Sequence, residues 1–386
     1  MYFLALKMLF NDKAKFFGIV MGVTLASLVI TQQGSIFVGL MARTFGVITD
    51  MNYPDIWVMD RKVQFIDDTK PLTDTKLFEV RGVPGVASAV PLYKGMIRAR
   101  MDNGLFQNCN LYGLDDSTLI GGPGEMIEGN LADLRMADSV IVDVEGATDK
   151  LARAGKKPGD PKIPLKIGDT LELNDHRAVV VGISRGSRTF QSQPNIFTTY
   201  SRAVTFAPKE RKLLSFVLVK AEPGENLETL RARITERTGL AAYTADQFKL
   251  LTVNYFLKYT GIPINFGIAV SLGFIIGTLI TGFMFYSFTI DNLKYLGTLK
   301  AMGTSDTTLM MMILLQALSV GCIGFGIGAG AATVFGISMG GTQLAFWITW
   351  QILVLSGGAV VIICMLAAML SVRKVVALEP AVVFKG

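Results

Sequence analysis

The chain has 386 residues, 51% of them hydrophobic, and its mean hydropathy of +0.44 is too high for an ordinary soluble protein. Its formal net charge is +6, but much of the excess positive charge borders long charge-free runs and therefore does not indicate nucleic-acid binding. Two of the three cysteines, Cys322 and Cys364, lie inside such runs, which excludes a disulfide framework.

The first predicted element is an amphipathic helix over residues 1–15 that lies on the cytoplasmic membrane surface. Its evidence is helical spacing of apolar residues, with polar residues on another face: Phe3, Leu6, Leu9 and Phe10 against Lys7, Asn11 and Lys15. A simple extension of the following span would show the same spacing, so both interpretations stay open.

Residues 16–42 are the first predicted transmembrane helix, because they carry no charge and are long enough to cross about 30 Å of hydrocarbon. The lysines that precede this run also fit a signal peptide. The run is longer than the apolar region of a typical signal peptide. We therefore expect it to be retained as a span.

Residues 43–258 contain most of the charged residues and are predicted to form a mixed α+β extracytoplasmic domain. Apolar runs and turn signals predict strands and one helix in it. The strands are expected at 56–59, 140–142, 170–173, 177–183 and 215–220, and the helix at 225–238. Residues 150–164 are rich in Lys, Pro and Gly, which predicts an exposed loop.

Three further transmembrane helices are predicted after this domain. The second span is 259–290, and its surplus length suggests a stalk. The uncharged stretch 307–372 is divided into two spans, because flexible and polar residues cluster at 336–343. The remaining segments follow in chain order: a cytoplasmic loop or helix at 291–306, the third span at 307–335, a short periplasmic loop at 336–349, the fourth span at 350–372 and a cytoplasmic tail at 373–386.

The distribution of lysine and arginine predicts the orientation. Lys7, Lys300 and Arg373 lie in short segments at alternate span ends, whereas the 336–349 loop carries no charge. The positive-inside rule then places both termini and the 291–306 segment in the cytoplasm. We expect a multi-pass protein of a bacterial inner membrane, with its large domain in the periplasm.

The predicted spans contain glycines four residues apart, and such pairs allow helix backbones to approach closely. The candidates for helix packing or dimer contacts are Gly18, Gly22, Gly273 and Gly277. They fit packing inside one chain and also fit self-association. No charged residue lies inside any predicted span, which argues against an ion-coupled carrier.

The sequence shows no catalytic or metal-binding constellation. The one histidine, His176, lies in a predicted hairpin turn and has no cysteine cluster with which to bind zinc. The G-x-S-x-G match at 182–186 lacks a following helix and a downstream histidine. No phosphate-binding loop occurs. We therefore expect no cofactor in this chain, with ATP and Mg²⁺ bound by a partner.

The segment Asp291–Gly303, with the sequence DNLKYLGTLKAMG, resembles the loop after the second span in the MacB/FtsX/LolC superfamily of ABC permeases. The span arrangement agrees with that family. The phrases at 55–60, 83–86 and 189–194 look closest to its DevC-like branch. At Lys294 the family usually has an acidic residue, so the charge contacts of that position do not carry over.

The resemblance implies a permease subunit that is not itself an enzyme. Two copies would pair around the first two spans, and a cytoplasmic ABC ATPase dimer would grip residues 291–305. A periplasmic adaptor and an outer-membrane channel are further implied partners, besides membrane lipid. The implied ATPase-coupling residues are Asp291, Leu293, Lys294, Tyr295, Leu296, Leu299, Lys300, Met302 and Gly303.

Within this segment, Leu293, Leu296 and Leu299 follow helical spacing and predict one apolar stripe. The stripe could sit in a groove of the ATPase or lie on the bilayer surface. Gly303 is expected to end the helix in a left-handed conformation.

Three functions fit the sequence. The first is a mechanotransmission exporter that uses ATPase motion to export or extract a lipid, glycolipid, lipoprotein, peptide or drug. The alternative is a transmitter similar to FtsX that activates a periplasmic cell-wall hydrolase without transport. A membrane-anchored enzyme or sensor is the third, weakened by the missing catalytic groups.

Overall fold

The computed structural model describes residues 2–51, 53–101, 104–155, 160–208, 213–340 and 342–376. Several predicted segments lie partly outside these residues: residue 1 of the N-terminal helix, 156–159 of the 150–164 loop, 341 of the 336–349 loop and 377–386 of the tail. The chain forms two compact units, which we name the transmembrane unit (Met1–Leu40 with Gly261–Gly386) and the α/β unit (Met41–Thr260).

The first helices and strands, in chain order, are α1 (Tyr2–Asn11), α2 (Lys13–Thr44), α3 (Gly46–Asp50), β1 (Ile56–Met59), α4 (Asp74–Arg81), β2 (Val86–Arg100), β3 (Phe106–Leu114), β4 (Glu125–Gly129), β5 (Ser139–Asp143), β6 (Thr170–Leu173), β7 (His176–Arg185) and β8 (Asn195–Thr199). The rest are α5 (Tyr200–Phe206), β9 (Phe216–Ala221), α6 (Leu227–Thr238), β10 (Ala241–Thr244), α7 (Ala245–Tyr259), α8 (Ile262–Asp291), α9 (Leu293–Ala301), α10 (Asp306–Ser338) and α11 (Trp350–Val376).

In the part of the chain that the structure describes, four helices are long and apolar enough to cross a membrane: α2, α8, α10 and the Trp350–Arg373 part of α11. The predicted fold class is confirmed, including the division of 307–372 into two spans. The predicted second span began at 259, whereas α8 begins at Ile262. The residues before it belong to the separate helix α7, which ends at Tyr259.

The N-terminal segment forms a helix separate from the first span, so a simple extension of that span is wrong, and its position on the membrane surface stays a prediction. Helix α1 ends at Asn11, and the Asp12 carboxylate accepts a hydrogen bond from the Lys15 amide at 3.2 Å, capping the start of α2. Leu9 is fully buried, whereas Phe3 and Phe10 are 81% and 48% exposed. The predicted apolar face is therefore divided, because α1 packs its Ala5–Leu9 side against α10.

The loop between α10 and α11 folds back on the end of α2. The Trp347 amide donates to the Ser35 carbonyl at 3.0 Å. A Cβ atom at Gly39 would lie 2.8 Å from the Ala345 backbone, so only glycine permits this approach. The predicted 336–349 loop is thus held against the chain by backbone contacts.

The α/β unit is built on a ten-stranded mixed sheet with the strand order β10-β1-β9-β2-β3-β8-β5-β7-β4, and β6 pairs with both β2 and β7. Strand β2 connects the two halves: its first part pairs with β9 and its second part with β3. The apolar runs predicted as strands are β1, β5 and β9, and every residue of β1 and β5 is buried. Such continuous burial requires cover on both faces of the sheet.

Alternate residues of β1 supply two cores. Ile56 and Val58 join a cluster with α4 and α6 on one face. Trp57 and Met59 join a cluster with α3 and α7 on the other face. The predicted hairpin is confirmed as β6 and β7, joined at Asn174 and Asp175, which both have positive φ as a type I′ turn requires.

Candidate functional site

The candidate site is the helical connection between α8 and α10, where α9 forms a short helix of its own. The Asn292 side chain donates to the Phe288 carbonyl at 2.8 Å and closes the end of α8. The Ser305 hydroxyl accepts from the Thr308 amide at 3.3 Å and caps α10. Local capping therefore separates α9 from both neighbouring spans.

Gly303 ends α9 as predicted, with φ of +93°. The Gly303 amide donates to the Lys300 carbonyl at 3.0 Å, and the Thr304 amide donates to the Leu299 carbonyl at 3.1 Å. This pair of bonds is a Schellman motif, which needs a left-handed residue at the position of Gly303. Among the described residues, apart from its two neighbours in the chain, no atom lies within 4 Å of a Cβ placed there, so the backbone conformation alone selects glycine.

The leucine stripe of α9 faces the protein and not a partner. Leu296 and Leu299 are 5% and 7% exposed and belong to the apolar cluster that includes Leu9, Phe288 and Leu309. Leu293 packs against the same cluster and is partly buried. The predicted insertion of this stripe into a groove of the ATPase is therefore wrong, because neighbouring helices of the same unit already cover it.

The opposite face of α9 is open. Lys294, Tyr295, Thr298 and Met302 are exposed, with exposed fractions of 66% for Tyr295 and 69% for Met302. These positions recur at the spacing of one helix face. Thr298 was absent from the predicted coupling residues. Its spacing from Lys294 could have indicated that both lie on the same helix face.

Two other predicted coupling residues are engaged inside the chain. The Asp291 carboxylate pairs with the Lys15 ammonium, which also lies 3.4 Å from the Asp12 carboxylate. The Lys300 ammonium lies 2.8 Å from the Asp306 carboxylate. These ion pairs join the start of α2 to the end of α8, and α9 to α10.

A polar residue in a span fixes α1 beside α10. The Gln316 side chain is 4% exposed and donates to the Ala5 carbonyl at 2.8 Å. Gln316 was not among the predicted site residues, although an amide in an otherwise apolar span is a signal for an interhelical hydrogen bond. Helices α1, α9 and α10 therefore share one packed core at this end of the unit.

The four selected glycines pack inside the chain. A Cβ atom at Gly277 would lie 2.3 Å from the Ala26 Cβ, and one at Gly22 would lie 2.9 Å from the Thr281 hydroxyl oxygen. Gly273 faces Val29, and Gly18 faces Met284. These glycines therefore allow helices of the same chain to pack closely, and they do not form a free self-association face.

Within the α/β unit, the helices that adjoin spans share one core. Val47 and Ile48 of α3, which follows α2, lie in the same cluster as Phe248 of α7, which precedes α8. The loop at 186–194 contacts both helices. The Asp50 carboxylate accepts from the Ser187 amide at 2.6 Å, and the rings of Phe190 and Phe256 are 4.8 Å apart.

The buried carboxylate of Asp143 joins two backbone segments of the α/β unit. Asp143 accepts backbone hydrogen bonds from Gly146 at 2.8 Å and from Asn195 at 3.0 Å. Burial raises the pKa of this carboxyl group to about 6, although the two amide donors oppose the shift. Among the described residues, no group of His, Cys, Asp and Glu is arranged to hold a metal ion.

The comparisons with known proteins assign the family. The family described as the MacB-like periplasmic core domain matches residues 16–237, more than half of the chain. The chain belongs to the MacB/FtsX family of ABC transporter permeases. The FtsX-like permease C-terminal family matches residues 265–380 of the permease, which includes α9.

The chain is also similar to two proteins named as ABC transporter permeases and to one solved structure. An uncharacterised ABC transporter permease of Mycobacterium tuberculosis is 24% identical over 327 residues, covering 82% of this chain and 80% of the relative. One from Methanocaldococcus jannaschii is 22% identical over 202 residues, covering 49% of this chain and 50% of the relative. The crystal structure of the periplasmic region of MacB from Actinobacillus actinomycetemcomitans aligns with a TM-score of 0.37 and 17% identity, over 55% of this chain and 96% of that chain. Membership of the DevC-like branch stays a prediction.

Proposed function

We propose that this permease transmits the motion of a separate cytoplasmic ABC ATPase to its α/β unit and thereby drives export or extraction of a substrate. The observation that supports this most directly is the two-sided nature of α9. Its leucines are fixed in the transmembrane core, whereas Lys294, Tyr295, Thr298 and Met302 are open to a partner. A force applied to the open face would reach α1, α8 and α10 through the buried face.

The route into the periplasm follows from chain continuity. Helix α2 continues to Thr44 and is followed by α3, while α7 ends at Tyr259 just before α8 begins. Because α3 and α7 pack in one core beneath the sheet, a movement of either span would displace both helices together. The absence of charge from the membrane-spanning stretches fits transmission without a polar substrate path.

We further propose that two copies pair through the open sides of α2 and α8. Of the 18 most apolar consecutive residues of each helix, 28% are buried in α8 and 44% in α2. The open side of α2 carries Phe17, Met21 and Leu25, and that of α8 carries Ile268, Leu272 and Leu279. This pairing would not involve the four predicted packing glycines, because they already contact neighbouring helices of the same chain.

The proposal is tested by placing a charge on each face of α9. Tyr295→Asp and Met302→Asp should leave the purified permease folded and weaken its association with its partner ABC ATPase by about a hundredfold, because an unpaired charge would be buried at the contact. Leu296→Asp should instead reduce the folded yield, because it places a charge in the core. Phe106→Asp, at a 62% exposed position in β3, is the matched control and should bind normally.

The measurement is the dissociation constant between purified permease and ATPase, together with thermal unfolding of each permease variant. If Tyr295→Asp and Met302→Asp bind as tightly as the parent chain, α9 is not the point of transmission. Robust ATP hydrolysis by the isolated permease would also contradict the proposal.

Export is separated from FtsX-like signalling by the partner that the complex needs. Substrate efflux that depends on a periplasmic adaptor and an outer-membrane channel would support export. ATPase-dependent activation of a cell-wall hydrolase, with no transported substrate, would replace the export proposal by the transmitter function.

A further inference from the structure

A cleft of about 1,010 Å³ lies between α1 and α9 in the transmembrane unit. Leu4 and Met8 of α1 and Leu299 of α9 supply its apolar surface, and Lys7 of α1 and Lys13 at the start of α2 supply cations. The cleft shares Tyr295 and Thr298 with the open face of α9, whereas Lys294 and Met302 of that face do not line it.

The position of the cleft along the spans can be read from charge. Lys15 and Asp291 line the cleft, and they are the first charged residues that border the charge-free stretches of α2 and α8. Charged side chains at the ends of spans lie at the level of the lipid headgroups. The cleft is therefore at headgroup depth, on the side that the positive-inside rule assigns to the cytoplasm.

Two of the lysines that line the cleft are available to bind a ligand. Lys15 is shared by the carboxylates of Asp12 and Asp291. Among the residues that the structure describes, Lys7 and Lys13 are exposed and make no ion pair with a carboxylate. Three lysines against two aspartates give the cleft a net positive charge, with its unpaired part at Lys7 of α1 and Lys13 at the start of α2.

Aromatic side chains surround the same region. Tyr295 is 66% exposed and lines the cleft, while Phe3 and Phe10 are exposed elsewhere on α1. Exposed aromatic rings beside lysines at the end of a span are the usual composition of a membrane interface. Acyl chains would therefore meet apolar rings beside the cations.

We propose that this cleft binds the headgroup of an anionic phospholipid, with the phosphate held by Lys7 and Lys13 and the acyl chains lying along the exposed apolar residues of α1. The negative surface of the cytoplasmic leaflet supplies such lipids. Because α1 and α9 form the two walls, a bound headgroup bridges the N-terminal helix and the candidate coupling helix. Lipid composition then adjusts how firmly these helices are joined.

The test titrates the purified full-length chain, delipidated in detergent, with short-chain phosphatidylglycerol and follows its melting temperature, which rises when a ligand binds the folded state. Short-chain phosphatidylcholine and inorganic phosphate at the same concentrations are parallel arms. We expect stabilisation by phosphatidylglycerol alone. Lys7→Gln and Lys13→Gln should each weaken this binding about fivefold, and the double variant about thirtyfold.

Arg373→Gln is the matched control, since Arg373 is an exposed cation at the end of α11 on the same side of the predicted membrane and outside the cleft. It should bind phosphatidylglycerol like the parent chain.

Equal stabilisation by inorganic phosphate would overturn the proposal in favour of a free-anion site, and equal stabilisation by phosphatidylcholine would remove charge recognition. Unchanged phosphatidylglycerol binding in the double variant would also overturn it, and loss of ATPase association in that variant would then assign the cleft to a protein contact. Because these lipid titrations contain no ATPase, their outcome is independent of the function proposed for α9.

Discussion

At the scale of single residues, helix packing in the transmembrane unit depends on where glycines lie. Lipid supplies no hydrophobic force that brings helices together, so close backbone approach and van der Waals contact carry the association. Gly277 and Gly267 lie on the same helix, α8, but only Gly277 faces a neighbouring helix among the described residues, with Ala26 as its contact. The two positions therefore make a matched pair.

Gly277→Ala should destabilise the permease by about 1–3 kcal/mol, the usual cost of overpacking a well-filled contact. The added Cβ would lie 2.3 Å from the Ala26 Cβ, so the two helices would have to separate. Gly267→Ala meets open space and should leave stability unchanged or slightly higher. Thermal unfolding of both variants in detergent checks this, and equal melting temperatures would contradict the packing of α2 on α8.

Asp143 predicts a pH dependence of stability. Its pKa in the folded chain is raised to about 6 from the usual 3.8, so between these values the folded state retains a proton that the unfolded state releases. The free energy of unfolding should therefore fall as pH rises from about 4 to about 6, and change little above that range on account of this group.

Asp143→Asn cannot ionise, so this contribution to the pH dependence should disappear. The variant is also expected to lose one of the two backbone hydrogen bonds, because an amide offers one acceptor oxygen where the carboxylate offers two. Denaturant unfolding of parent and variant at pH 4, 5 and 6 measures the difference. An unchanged slope in the variant would show that another group is responsible.

At the scale of elements, α1 illustrates how a polar side chain determines the place of an apolar helix. The hydrogen bond from Gln316 to the Ala5 carbonyl joins α1 to α10, and such bonds contribute about 0.6 kcal/mol on average within membranes. Gln316→Met keeps the side-chain volume and removes the donor. We expect α1 to open more often while α10 stays folded.

Hydrogen–deuterium exchange of residues 2–11 measures this opening, and about a threefold faster exchange corresponds to the expected loss. Ser319→Ala is the control on the same helix, since the Ser319 hydroxyl bonds to the Leu315 carbonyl of α10 itself at 2.7 Å. Equal exchange in all three proteins would mean that apolar packing of Ala5 and Leu9 alone holds α1.

The elements also show where periodicity stops being informative. Leu293, Leu296 and Leu299 are correctly predicted to share one face of a helix, but the same spacing arises whether that face meets a partner, a bilayer or the same chain. The structure assigns the face to the chain's own core. Strands β2, β3 and β8 were not predicted, because their sequences show neither strict alternation nor a bounded apolar run.

At the scale of the whole molecule, the orientation of the four spans can be tested directly. In a chain without native cysteines, Lys166→Cys should react with a membrane-impermeant maleimide in spheroplasts, because Lys166 is exposed in the α/β unit. Ser305→Cys is equally exposed but should react only after lysis, since positive charge places its segment in the cytoplasm. Labelling of both residues in intact spheroplasts would contradict the four-span topology.

The sequence by itself determined the number of spans, the position of the α/β domain and the family, because charge-free length and motif order are local properties that any tertiary arrangement must keep. Tertiary structure decided which face of α9 is open, which helix α1 packs against and whether the glycines serve one chain or two. These outcomes depend on which surfaces lie opposite one another, such as Gly277 against Ala26 and Gln316 against Ala5. Residues far apart in sequence compete for each such contact, and only the packed chain shows which of them occupies it.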